Sequence, residues 1–146
     1  MNSNSYFTCQ ELIDRHPHVK LWGWTSNKVG IFYRCLLVDG RKFGRSSRTL
    51  VTESSLINLM KFAYNELSEA ENGADFFAYD EIMDLIPQTE YYRWSPSIIG
   101  TFCKSALLVG KRSHKESRNL VSKQSVSRLI NFTNQRLIDI TNMPSL

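Results

Sequence analysis

The stretch from Trp24 to Arg48, WTSNKVGIFYRCLLVDGRKFGRSSR, returns as WSPSIIGTFCKSALLVGKRSHKESR from Trp94 to Arg118. Slid along itself by that offset, the chain aligns Tyr6 to Leu67 with Phe76 to Leu137 without a gap. Pro17/Pro87, Trp24/Trp94, Gly30/Gly100, Phe32/Phe102, Gly40/Gly110 and Arg48/Arg118 then coincide. A single register that keeps Pro, Trp, Gly and Arg together marks a duplicated unit rather than a chance likeness of helices. The chain divides into a first repeat over 6–67, an acidic linker over 68–75, a second repeat over 76–137 and a tail over 138–146. A unit of about 60 residues is near the lower size for a self-sufficient core. The copies are therefore expected to pack on each other.

Charge follows the same division. The net charge is +4, but basic residues outnumber acidic ones within each repeat, while Glu69, Glu71 and Asp75 make the join acidic. That is the layout of two polyanion-binding modules on a non-binding linker. The cysteines Cys9, Cys35 and Cys103 are widely spaced with no Cys-x-x-Cys pair, which speaks against a disulfide framework and a zinc finger and for a reducing cytoplasm. Met1 to Ser5 carries no apolar run and no stretch approaches the roughly 20 residues of a membrane span, so neither a signal peptide nor an anchor is expected.

Thr8-Cys9-Gln10-Glu11 reads as a capping box opening a first helix, with Phe7 and Leu12 as staple, and His16-Pro17 closes it. Ala78 stands at the matching cap of the second copy, so that helix starts less firmly. His18 to Gly23 reads as a connector. Thr25 and Ser95 are N-caps of a second helix, with Pro96 at its first position. Its spacing sends Val29, Phe32, Tyr33 and Leu36 inward and leaves Ser26, Asn27, Lys28, Ile31 and Arg34 outside, matched by Ser97, Ile98, Thr101 and Lys104. Gly30 and Gly100 inside this helix suggest close packing, since each costs about 1 kcal/mol against Ala.

After Leu37 to Gly40 comes a basic segment holding Arg41, Lys42, Arg45 and Arg48, repeated as Lys111, Arg112, Lys115 and Arg118. The following Leu50-Val51 and Leu120-Val121 are strand-like, so the basic segment reads as a short hairpin or loop between strands. A third helix follows, capped by Thr52 and Ser122, with apolar faces Leu56, Leu59, Met60, Ala63, Leu67 and Val126, Leu129, Ile130, Leu137. In the first copy it can continue to Gly73. The expected fold class is mainly α with short β-hairpins, α+β, in two tandem copies.

The succession helix, helix, basic hairpin, helix, with Trp24 to Gly30, Leu36 to Lys42 and Arg48 to Thr52 and their second-copy equivalents, resembles the winged helix-turn-helix domains of the MerR and phage-excisionase type. The resemblance implies two tandem winged helix-turn-helix units that bind double-stranded DNA, as a small transcription regulator or architectural factor of a phage or other mobile element. The connector is longer than the tight turn of those families. No effector domain follows, so no small-molecule ligand is expected. The DNA-contacting set would be Thr25, Ser26, Asn27, Lys28, Arg34, Arg41, Lys42, Arg45 and Arg48, and Ser95, Ser97, Thr101, Lys104, Lys111, Arg112, Lys115 and Arg118. A helix N-terminus offers amides and partial positive charge to phosphate, its side chains reach base edges, and wing cations reach the backbone. Two copies would suit two adjacent half-sites.

Two rivals stand beside this. One is an adaptor gripping a host protein through exposed Trp22, Phe43, Tyr91 and Tyr92; the other is RNA binding by aromatic stacking. His16-x-His18 near Cys9 is not repeated as histidines in the second copy, so no metal is expected. No Gly-x-Ser-x-Gly, phosphate-binding Gly-rich loop or paired carboxylates occur, so neither an enzyme nor a cofactor is expected.

Overall fold

The structure, a computed structural model, describes residues 5–42, 48–68, 75–113 and 118–141. It is an α+β fold with two three-stranded antiparallel sheets. In order come β1 (Tyr6–Thr8), α1 (Cys9–Arg15), a 3₁₀ helix (Pro17–Trp22), α2 (Ser26–Arg34), β2 (Gly40–Lys42), β3 (Thr49–Thr52) and α3 (Glu53–Ser68). Then follow β4 (Phe76–Ala78), α4 (Tyr79–Leu85), α5 (Gln88–Tyr91), α6 (Pro96–Lys104), β5 (Gly110–Ser113), β6 (Arg118–Ser122) and α7 (Lys123–Thr141). The sheet orders β1-β3-β2 and β4-β6-β5 are the same.

Local chemistry explains most boundaries. The Thr8 hydroxyl accepts the Glu11 amide at 3.1 Å while Glu11 accepts the Thr8 amide at 2.8 Å, so two otherwise orphaned donors are satisfied. In α4 only half of this survives, with Glu81 accepting the Ala78 amide at 3.0 Å. Thr25 and Ser95 cap α2 and α6 by accepting the Lys28 and Ile98 amides. Ser122 caps α7 through the Ser125 amide at 3.1 Å, whereas the Thr52 hydroxyl donates to Ser55 Oγ at 2.7 Å. Gly40 lets the hairpin close on α2: a Cβ there would lie 2.4 Å from the Leu50 carbonyl oxygen and 2.9 Å from the Tyr33 ring.

Several expectations are corrected. The connector after α1 is helical in both halves, because Pro17 sets the first turn and buried Val19 and Thr89 anchor it. Gly23 ends the first of these turns in the left-handed region at φ 77°. Strands β1 and β4 precede the capping boxes; at three residues they are too short to leave a periodic signal. Leu36 is exposed at φ 67° rather than buried, since α2 stops at Arg34 and the helical period no longer applies. Cys35 takes the inward place, and Ile31 and Ile98 rest half-buried against the core. Helix α7 runs to Thr141, past the expected start of the tail. The possible extension of α3 to Gly73 lies outside the described residues.

Both halves share one core. The Phe32 and Phe102 rings lie 6.1 Å apart and those of Phe62 and Phe132 5.1 Å apart, so each meets its own counterpart in the repeat. Gly23 packs against the Lys104 carbonyl, and their counterparts Arg93 and Arg34 also adjoin; reciprocal contacts of this kind mark a two-fold relation between the halves. The start of α2 meets the end of α6: Trp24 Nε1 donates to the Ser105 carbonyl at 2.7 Å. Arg128 grips Glu66 with two hydrogen bonds of 2.7 and 2.9 Å, joining α3 to α7 by a bidentate pair.

Candidate nucleic-acid interface

Helix α2 buries Val29 and Phe32, followed by Cys35 at its cap. At 3.6 residues per turn its opposite side is Asn27, Gly30 and Arg34. The hairpin supplies the facing wall. Lys42 pairs with Thr49, and alternate strand residues point to opposite faces. Arg41, one residue earlier, therefore turns the other way and lays its guanidinium 3.9 Å over the Tyr6 ring. The first turn of α1 with its cap completes a groove of about 780 Å³, lined by Thr8, Cys9, Gln10, Ser26, Asn27, Gly30, Tyr33, Arg34, Lys42, Arg48 and Thr49. Three exposed cations line it and no carboxylate does. Glu11 stands nearby, its carboxyl held below the usual range first by the Thr8 hydrogen bonds and, more weakly, by Arg15 and Arg48.

Five of the expected residues, Ser26, Asn27, Arg34, Lys42 and Arg48, thus converge on one concave surface built by three elements. Thr25 caps the helix and Lys28 is half-buried beside Gly23; neither lines this groove. Arg41 and its counterpart Lys111, whose ammonium lies 4.2 Å over the Phe76 ring, pack on the aromatic residues of β1 and β4 instead. Arg45 and Lys115 lie outside the described residues. The Gly30 expectation is corrected: a Cβ there would meet nothing within 4 Å, so this glycine floors the groove rather than admitting a neighbouring helix. Gln10, Tyr33 and Thr49 escaped sequence reasoning; only the pairing of Thr49 with Lys42, through strand alternation, could have pointed to one of them.

The matching groove of the second half is smaller, about 510 Å³, and lined by Ala78, Tyr79, Asp80, Pro96, Arg112, Arg118 and Asn119. Tyr79 replaces Cys9, and its ring lies 3.5 Å from where a Cβ on Gly100 would be. Burial, and then the adjoining Cys103, push its hydroxyl up to about 12. Asp80 and Pro96 replace Gln10 and Ser26, and Arg118 approaches Glu81 at 3.7 Å. Ser95 is committed to capping. Ser97 and Lys104 are exposed but do not line this groove, and Thr101 donates to the Ser97 carbonyl at 3.2 Å.

Other constellations are structural. His16 and Arg15 both contact Glu53, at 2.7 and 2.8 Å, tying α1 to α3. Burial raises the Cys9 thiol and pushes Cys35 and Cys103 up to about 11, so all three stay protonated near neutrality. Among the described residues no group of three or more His, Cys, Asp or Glu could hold a metal ion. No described helix is long and apolar enough to cross a membrane. Of the aromatics considered for protein docking, Tyr91 is exposed, Trp22 is half-buried and Tyr92 is buried with its hydroxyl on Asn134; Phe43 lies outside the described residues.

No family model, curated protein or solved structure matches the chain.

Proposed function

We propose that this chain binds double-stranded DNA through the groove of its first half, as a regulator or architectural factor built from two tandem winged helix-turn-helix units. The observation that carries the reading is the convergence of Arg34, Lys42 and Arg48 with Ser26 and Asn27 on a concave surface without a lining carboxylate. Cations on the hairpin neutralise backbone phosphates, while the short polar side chains at the α2 N-terminus donate to phosphates or base edges. The matching element order and sheet topology of the halves support the tandem reading. In this reading the second half serves mainly as a packing partner, because Tyr79 narrows its groove and Asp80 opposes phosphate there.

The test is duplex binding across a salt series, with single-stranded RNA as competitor. Submicromolar duplex affinity that falls steeply with salt and resists RNA competition is the expected result. Well-folded protein that ignores duplex at low salt would overturn the proposal.

A further inference from the structure

On the far side of Arg34 from the first groove, a second cleft of about 580 Å³ opens between the two halves. Three guanidinium groups line it, Arg34 from the end of α2, Arg93 from the turn before α6 and Arg136 from α7, together with Tyr33, Tyr91 and a single carboxylate, Asp39. We propose that this cleft is a phosphate-binding site, taking a phosphate group presented either by a DNA backbone or by a small free anion. Arg136 is already fixed, its Nε donating to the Leu36 carbonyl at 2.7 Å. Its Nη1 is buried and has no hydrogen-bond partner among the described residues. A buried donor of this kind is costly unless an acceptor meets it, and planar guanidinium groups match phosphate oxygens in pairs.

Two further observations set these cations apart from what the two halves share. Arg93 sits at φ 68°, where its counterpart in the first half is Gly23 at φ 77°. The second half keeps an arginine in a left-handed conformation that glycine adopts more easily. The positions equivalent to Arg34, Arg93 and Arg136 across the two-fold axis are Lys104, Gly23 and Glu66, and Glu66 is neutralised by Arg128. One set of equivalent positions thus carries three arginines, and the other a lysine, a glycine and an ion-paired glutamate. The free-anion arm is independent of the duplex-binding proposal; the backbone arm rests on it.

The test uses the full chain and inorganic phosphate, followed by NMR against sodium chloride of equal ionic strength. Wild type is compared with Arg93→Gly, which suits the left-handed backbone and is the residue at the equivalent position, Gly23; Arg93→Asn, also tolerant of that region, is the second variant. Expected are saturable shifts at Leu36, Arg93 and Arg136 with phosphate but not chloride, weakened about tenfold or more in both variants. Weaker duplex binding by the variants in chloride buffer, with phosphate competing against wild type, identifies the backbone as source. Unchanged duplex affinity alongside lost phosphate binding identifies a free anion. Shifts that persist in both variants, or no shifts together with unchanged duplex affinity, would overturn the site.

Discussion

The two halves share every element from opening strand to closing helix, yet they differ where α1, the inner helix and the hairpin converge. In the first half Cys9 and Gly30 leave a groove open beneath Arg34, Lys42 and Arg48. In the second, Tyr79 lies over Gly100, and Asp80 joins the lining. Residues that build the shared core are retained, including Trp24/Trp94 and Phe32/Phe102, while the groove residues have diverged. The two halves thus share their packing while their grooves differ in lining and charge.

The largest expected effect tests whether the halves are one folding unit. Phe32→Ala removes a ring that packs on Trp24 and Phe102 and should cost about 3–5 kcal/mol, lowering a single cooperative denaturant transition. Two separate transitions would break the shared-core account. Next, Gly30→Leu fills the open groove without touching the core. It should weaken duplex binding about tenfold, roughly 1.4 kcal/mol, while raising unfolding stability by up to about 1 kcal/mol, since a mid-helix glycine is removed; unaltered affinity would remove the groove from the interface.

A smaller difference lies at the paired tryptophans. Trp24 donates to the Ser105 carbonyl, whereas Trp94 Nε1 is buried with no partner among the described residues. Trp24→Phe should therefore cost about 1 kcal/mol more than Trp94→Phe in equilibrium unfolding. Equal losses would contradict this break in symmetry. Smallest is the acid response of Glu53, whose carboxyl is held below its usual range by hydrogen bonds first from Arg15 and then from His16. A depressed carboxyl stabilises the fold above its ordinary value of 4.5, and that contribution is lost as pH falls through the folded value. Glu53→Gln should lower stability by under about 1 kcal/mol at neutral pH and flatten the acid limb below 4.5. An unaltered acid limb would remove this tie from the account.

Much of the fold was legible because its signals are local. The Thr8, Thr25 and Ser95 caps, Pro96 and the hairpin strands each follow from short-range chemistry, and the repeat doubled every signal. What escaped depends on tertiary contact. Strands β1 and β4 exist because β3 and β6 offer them an edge, and Leu36 swings outward because α2 ends before it. Charge alone did not separate Lys42, in the groove, from Arg41, stacked on Tyr6; that distinction required the strand register. The Arg34, Arg93 and Arg136 cleft was invisible because its members come from both halves.

Under the proposed function one groove, not both, meets DNA. The direct measurement compares duplex affinity across a salt series for Arg34→Ala/Lys42→Ala/Arg48→Ala with that for Lys104→Ala/Arg112→Ala/Arg118→Ala. The first triple variant should lose most of the affinity and flatten the salt slope by about 0.9 per lost phosphate contact, while the second stays close to wild type. Equal losses in the two, or a loss confined to the second, would contradict it.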